Sequence, residues 1–188
     1  MAAASTLKNM ALCLTAVCLV CSAVVGVAYA FTAAPIAEAA RAKTTASIAR
    51  VLPEFTSEPE QGSVQVNGTD YSYYKVDGAG YAIVSPVSGF GGILTLMVGI
   101  ATDGTVHNTA VLSHSETPGL GAKCTTDEHF MSQFRGFDPS AKTLTVKKDG
   151  GDLDAITAST ITSRAYALAV SNAVNVFKQL TQGGQDHE

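Results

Sequence analysis

The chain is poor in the residues from which most metal, disulfide and hydrolytic sites are built. Its four histidines, His107, His114, His129 and His187, are scattered, with no H-E-x-x-H or other paired spacing, so no histidine metal centre is indicated. Of its four cysteines only Cys124 lies outside a long apolar run, and a single thiol there leaves no internal disulfide framework. There is no basic stripe and the net charge is −4, which argues against nucleic acid as a partner. No glycine-rich loop of the P-loop or dinucleotide type is present, so the chain offers no nucleotide site of those kinds. A nucleophile elbow and a paired-carboxylate arrangement are also missing. Ser113, His114 and Glu116 by themselves make only a weak case for a stand-alone enzyme. No internal repeat is visible.

Charge is missing altogether from Asn9 to Ala37. A bilayer core is crossed by about 20 mostly apolar helical residues, and Met10 to roughly Phe31 meets that requirement in the one form that satisfies its backbone internally. The competing reading is a cleaved secretory signal, with Lys8 as a small basic region and Ala28-Tyr29-Ala30 as a cleavage site. The run exceeds the usual apolar region of about 7–15 residues in such signals, which favours a retained single span surrounded by lipid. Basic residues are Lys8 before it and Arg41, Lys43 and Arg50 after it, so simple counting weakly places the C-terminal side in the cytoplasm. Cys18 and Cys21 form a C-x-x-C on one helix face. An iron–sulfur cluster normally takes four ligands, so these thiols, with Cys13, read as small hydrophobes.

After the span, Ala34–Leu52 reads as a helix continuing or restarting past Pro35, and Pro53 with Pro59-Glu60-Gln61-Gly62 makes a linker. Strand-like runs follow at Ser63–Asn67, Tyr71–Val76, Tyr81–Pro86, Leu94–Ala101 and Thr105–Ser113. Asn67-Gly68, Gly78–Gly80 and Thr102-Asp103-Gly104 punctuate them as turns. Glu128, Phe130, Met131 and Phe134 suggest a short helix, and Leu144–Lys147 a further strand. Tyr166, Ala169, Val170, Ala173, Val174, Phe177 and Leu180 recur at helical spacing to about Thr181. The pattern is α+β: a bent antiparallel sheet with packed helices. The expected divisions are 1–32 for a short N-terminus and transmembrane helix and 33–60 for a juxtamembrane helix and linker. Residues 61–181 form the domain, and 182–188 a loose tail.

Asp154-Ala155-Ile156-Thr157-Ala158-Ser159-Thr160-Ile161-Thr162-Ser163 places a cluster of hydroxyls where a loop enters the last helix. Helix starts carry unpartnered N–H groups and the positive end of the dipole, which favour an anion such as phosphate. Ser and Thr are also preferred N-caps and need no ligand to explain them.

Asp154–Thr160 resembles the flavinylation motif of the FMN-binding domain family, whose usual form is Asp-x-x-Ser/Thr-Gly-Ala-Thr. Ser113-His114-Ser115-Glu116-Thr117-Pro118-Gly119-Leu120-Gly121-Ala122-Lys123 and Gly89–Ile100 are similar, in the same order, to segments of the G subunits of Rnf electron-transport complexes. The resemblance implies one covalent FMN held as a phosphoester on Thr160, with Thr157, Ala158 and Ser159 completing the motif. Glu116, Thr117, Gly119 and Leu120 would then approach the flavin. Ala158 and Ser159 stand where the family usually has Gly and Ala, which leaves Ser159, Thr157 and Thr162 as alternative attachment residues. The resemblance further implies an electron-carrier subunit of a complex that couples ferredoxin and NAD redox to Na⁺ or H⁺ movement. Other redox and membrane subunits would be its partners. A separate, Mg²⁺-requiring flavin transferase would mature it, and the soluble domain would lie outside the cytoplasm. The alternatives are the C subunit of the Na⁺-translocating NADH:quinone reductase, generally longer than this chain, and an anchored binding or assembly module without a flavin.

Overall fold

The computed structural model describes residues 7–182, so the first six residues and the tail expected after Gln182 lie outside the described residues. The chain divides into two compact units, one ending at Thr44 and the other beginning at Thr45. Helix α1, Leu7–Val51, runs without interruption through Pro35. Lys8–Ala33 within it is 26 residues long with a mean hydropathy of 2.5, and none of its most apolar window is buried. It is therefore long and apolar enough to cross a membrane.

The second unit is built on five strands in consecutive order, all antiparallel: β1 Glu60–Val66, β2 Thr69–Val76, β3 Gly80–Ser88, β4 Ile93–Ile100 and β5 Val106–Ser113. The β1–β2 hairpin closes on Asn67 and Gly68, both with positive φ, as a two-residue hairpin loop requires. Between β4 and β5, Asp103 accepts from the Thr105 N–H and hydroxyl and so fixes the turn. Register shifts interrupt the β4–β5 pairing at Thr95/Leu96 and Gly99/Ile100.

Both faces of the sheet are covered. On one side lies α3, Thr160–Gln182, with α2, Glu128–Ser132, capped by Asp127 accepting from the Phe130 N–H. The apolar face of α3 read from the sequence is the buried one, as Tyr166, Ala169, Val170, Ala173, Val174 and Phe177 join Ile83, Leu94, Leu96 and Val98 in the main core. Tyr166 stacks edge-on to Phe130 and shares a 2.7 Å hydrogen bond with Thr109, so its hydroxyl is satisfied where no water reaches it. On the other side, Ile48 and Val51 from the end of α1, with Leu52 just after it, pack against Val76, Ala82 and Met97. Strand β4 is thus buried on both faces, which explains its nearly continuous apolar sequence.

One expected strand is absent. Leu144–Lys147 makes only an isolated bridge, Val146 to Leu153, and runs straight into a 3-10 turn at Lys147–Asp149. Gly150, in the left-handed conformation, ends that turn, and this tight reversal leaves no room for a ladder.

Candidate functional site

Three segments far apart in sequence meet at the N-terminal end of α3. They are the Gly89–Gly92 turn between β3 and β4, the loop after β5, and the hydroxyl-rich segment leading into α3. Together they line a cavity of about 370 Å³ formed by Phe90, Glu116, Thr117, Leu120, Gly121 and the run Ala158–Thr162.

Glu116 holds these segments together. It is only 5 % exposed. One carboxylate oxygen accepts from the Phe90 N–H at 2.8 Å and, more loosely, from the Gly91 N–H at 3.4 Å. The other accepts from the Thr162 hydroxyl at 2.8 Å. A buried carboxylate is tolerable only when such donors replace its water. The glycines around it make room. A Cβ at Gly89 would lie 2.1 Å from one Glu116 oxygen, and a Cβ at Gly121 would lie 2.5 Å from the other.

The hydroxyl cluster separates into distinct jobs. The Ser163 hydroxyl accepts from the Ile156 N–H at 2.9 Å and donates to the Ser159 carbonyl at 3.0 Å, which ties the entering loop to the first turn of the helix. Thr162 is buried against Glu116. Ser159 is 7 % exposed. Thr157 is exposed and does not line the cavity. Thr160 is half-buried at the cavity, and its hydroxyl accepts from Lys148 Nζ at 3.4 Å. Ala158 has φ +62°, a left-handed backbone that side-chain-bearing residues adopt rarely. The loop therefore keeps the shape that a glycine at this position would favour.

The cavity lining is mixed in character. Thr117 and Thr160 bring hydroxyls to it, and Lys148, outside the lining, reaches the Thr160 hydroxyl. Phe90, Leu120 and Ile161 line it as large apolar side chains left 67 %, 43 % and 51 % exposed. Of the residues expected from sequence, Glu116, Thr117, Leu120, Ala158, Ser159 and Thr160 come together here, whereas Thr157 and Gly119 stay outside the lining. Glu116 was expected to approach a ligand; its carboxylate is instead committed to Phe90, Gly91 and Thr162. Gly121, like Gly119 expected to allow close backbone approach, does line the cavity, and Phe90 and Ile161 join it without a prior expectation. A phenylalanine among three glycines was the signal available for Phe90.

Two acids near the motif, Asp149 and Asp154, are paired with basic residues. Arg164 donates to both oxygens of Asp149 at 2.6 and 2.7 Å, and these bonds hold the Asp149 carboxyl below the usual carboxylate range. Lys147 pairs with Asp154 at 2.8 Å. Gln133 brackets the Asp154 backbone, accepting from its N–H at 2.7 Å and donating to its carbonyl at 3.2 Å, which fixes where the motif begins. Among the described residues no group of three or more His, Cys, Asp or Glu is arranged to hold a metal.

Comparison with known proteins matches residues 89–175 to the FMN-binding domain model. The chain is 47 % identical over 93 residues to the G subunit of the ion-translocating oxidoreductase complex of Shewanella baltica, covering 47 % of this chain and 44 % of that protein. It is 39 % identical over 106 residues to the G subunit of the proton-translocating ferredoxin:NAD(+) oxidoreductase complex of Clostridium ljungdahlii, covering 55 % of this chain and 56 % of that one. With the G subunit of the ion-translocating oxidoreductase complex of Cereibacter sphaeroides it shares 31 % identity over 159 residues, 78 % of this chain and 73 % of that protein. The chain thus spans about half the length of the first two relatives. The matched domain contains all three segments that line the cavity.

Proposed function

Because the chain belongs to the family of ion-translocating oxidoreductase complex G subunits and carries an FMN-binding domain, we propose that it is a membrane-anchored electron-carrier subunit with FMN fixed covalently to Thr160. The observation that carries this reading is the position of Thr160. It lines a cavity that also carries the large apolar side chains of Phe90, Leu120 and Ile161, a mixture that suits a phosphate tail and a flat, largely apolar ring.

The residues present fit such a group. Thr160 and the first turn of α3 would hold the phosphate, where free N–H groups favour an anion. Phe90, Leu120 and Ile161 would supply apolar contact to the ring, with the Thr117 hydroxyl for its polar edge. The alternative attachment residues fit less well. Thr162 is buried with its hydroxyl committed to Glu116, Ser159 is 7 % exposed, and Thr157 lies outside the cavity. Bound FMN would supply one- and two-electron redox chemistry. The chain's own contribution is to position the group and keep its attachment point rigid through the Glu116 and Ser163 hydrogen bonds.

The proposed setting is a complex that couples ferredoxin and NAD redox to Na⁺ or H⁺ movement, with other redox and membrane subunits as partners and a flavin transferase for maturation. Lys8–Ala33 would anchor the chain in the plasma membrane as a single span, with 33–60 as a stalk and the domain at 61–181 on the extracytoplasmic side. In that compartment a tether prevents loss of a flavin that is hard to replace.

The test is ultraviolet fluorescence of the denatured polypeptide after coexpression with a flavin transferase, with mass analysis of the peptide spanning Asp154–Arg164. Flavin is expected on Thr160, and Thr160→Ala should abolish the signal. A bare peptide from fully matured material would leave only an anchored α+β domain.

A further inference from the structure

The charges around the attachment motif are paired unevenly. Asp149 is taken by Arg164 and Asp154 by Lys147. Lys148 sits between the two basic-acidic pairs in the chain, on the 3-10 turn Lys147–Asp149. It makes no ion pair among the described residues, although its charge adds a minor contribution to lowering the Asp149 pKa. Its ammonium instead donates to the Thr160 hydroxyl at 3.4 Å. A contact of that length is weak as a hydrogen bond. What matters is that a full positive charge is directed at this one oxygen, while Asp149 and Asp154 are already neutralised and Asp152 accepts from the Thr143 N–H at 2.7 Å.

We propose that Lys148 is the counter-ion of the phosphate held at Thr160. This rests on the reading of Thr160 as the attachment point. A phosphodiester on that oxygen carries one negative charge, and the Lys148 ammonium then faces an anion in place of a hydroxyl. The compact ammonium offers three donors on a flexible stem, which suits a phosphate as a point charge. Lys148 is exposed, so its contribution is screened by salt.

The experiment uses the full chain in detergent, prepared with and without a coexpressed flavin transferase, as wild type, Lys148→Gln and Lys148→Arg. Mass analysis reports whether flavin sits on Thr160, and thermal denaturation of the domain reports the gain in midpoint on loading. In the wild type the gain is expected to shrink as salt rises from roughly 50 to 500 mM. In Lys148→Gln it is expected to be about 2–4 °C smaller and insensitive to salt. Lys148→Arg should retain the wild-type behaviour, and the unloaded variants should melt with the wild type. Equal, equally salt-dependent gains in loaded wild type and Lys148→Gln would overturn the counter-ion role while leaving Thr160 attachment intact. A midpoint loss already present in unloaded Lys148→Gln would make the contact structural and also overturn it. Wild-type protein with no flavin on Thr160 would remove both readings.

Discussion

The Thr162 hydroxyl donates to the buried carboxylate of Glu116 at 2.8 Å, joining two residues 46 positions apart in the lining of the cavity. The same carboxylate accepts from the Phe90 N–H, so a single side chain locks the loop after β5, the β3–β4 turn and the start of α3 into one frame. Removing it leaves a part-buried N–H and a buried hydroxyl without their acceptor, and such a loss costs about 1–3 kcal/mol for a fully buried group. Glu116→Ala is expected to destabilise the domain by roughly 3 kcal/mol. Glu116→Gln keeps an oxygen for Phe90 and an amide for Thr162 and should cost only about 1 kcal/mol. Urea denaturation of both variants decides the matter, and equal losses would remove the strut role.

Ala158 makes a second prediction. At φ +62° its Cβ crowds the backbone, and glycine adopts this conformation freely. Ala158→Gly should stabilise the domain by about 0.5–1 kcal/mol, the relief of strain exceeding the entropy that glycine adds to the unfolded chain. Ala158→Val, β-branched at a positive φ, should be less stable than the wild type. Denaturation midpoints in the order Gly, Ala, Val are expected; valine matching alanine would show that the loop relaxes out of the left-handed region.

These two sites mark the limit of what the sequence discloses. Helix α3 was readable because its apolar residues repeat every three or four positions against a sheet. The strands were readable from turn residues such as Asn67-Gly68, whose positive φ values are the cause of the turn. The hydroxyl-rich run marked Thr160 as close to the helix start, and α3 begins there. The job of Glu116 was not readable, because two of its partners are backbone N–H groups about 25 residues earlier, and those carry no side-chain signature. Leu144–Lys147 misled for a related reason. Its alternating, β-prone residues are overridden by the reversal at Gly150. Lys148 looked like any surface lysine, since only the folded turn brings it to Thr160.

Alkaline pH supplies a third prediction. Burial pushes the Cys124 thiol up to about 11 and, more strongly than the bond to Thr109 opposes it, the Tyr166 hydroxyl up to about 12. Both folded values exceed the unfolded ones, so the stabilisation is complete below the unfolded pKa values of 9.0 and 10.0 and is lost as pH rises through the folded ones. Stability should therefore be flat around neutrality and fall from about pH 9 upward, with the first part of the fall missing in Cys124→Ala. The same burial keeps Cys124 from forming thiolate, so it should resist alkylation at pH 8 until the domain unfolds. Alkylation of Cys124 in the folded protein at the rate of an unfolded control would contradict its buried position.

Gly119 and Gly121 look equivalent in the sequence, two glycines flanking Leu120, yet the structure gives them different reasons to be glycine. Gly119 has φ +77° with nothing within 4 Å of a built Cβ, so only backbone strain opposes a side chain there. Gly121 has ordinary backbone angles, but its Cβ would stand 2.5 Å from a Glu116 oxygen and 2.8 Å from the Thr162 hydroxyl, the two atoms that form the strut. Neither atom can give way without breaking the bond between them. Gly119→Ala is therefore expected to cost about 1 kcal/mol, and Gly121→Ala about 2–3 kcal/mol, from overpacking together with loss of a charge-assisted hydrogen bond. A double variant separates the causes. In the background of Thr162→Ala the hydroxyl is gone and the Glu116 oxygen it held can move aside, so the added cost of Gly121→Ala should fall by about 1 kcal/mol, the coupling typical of residues sharing one network. Additive losses in that cycle would mean that the glycine is needed for a reason other than the Glu116–Thr162 bond.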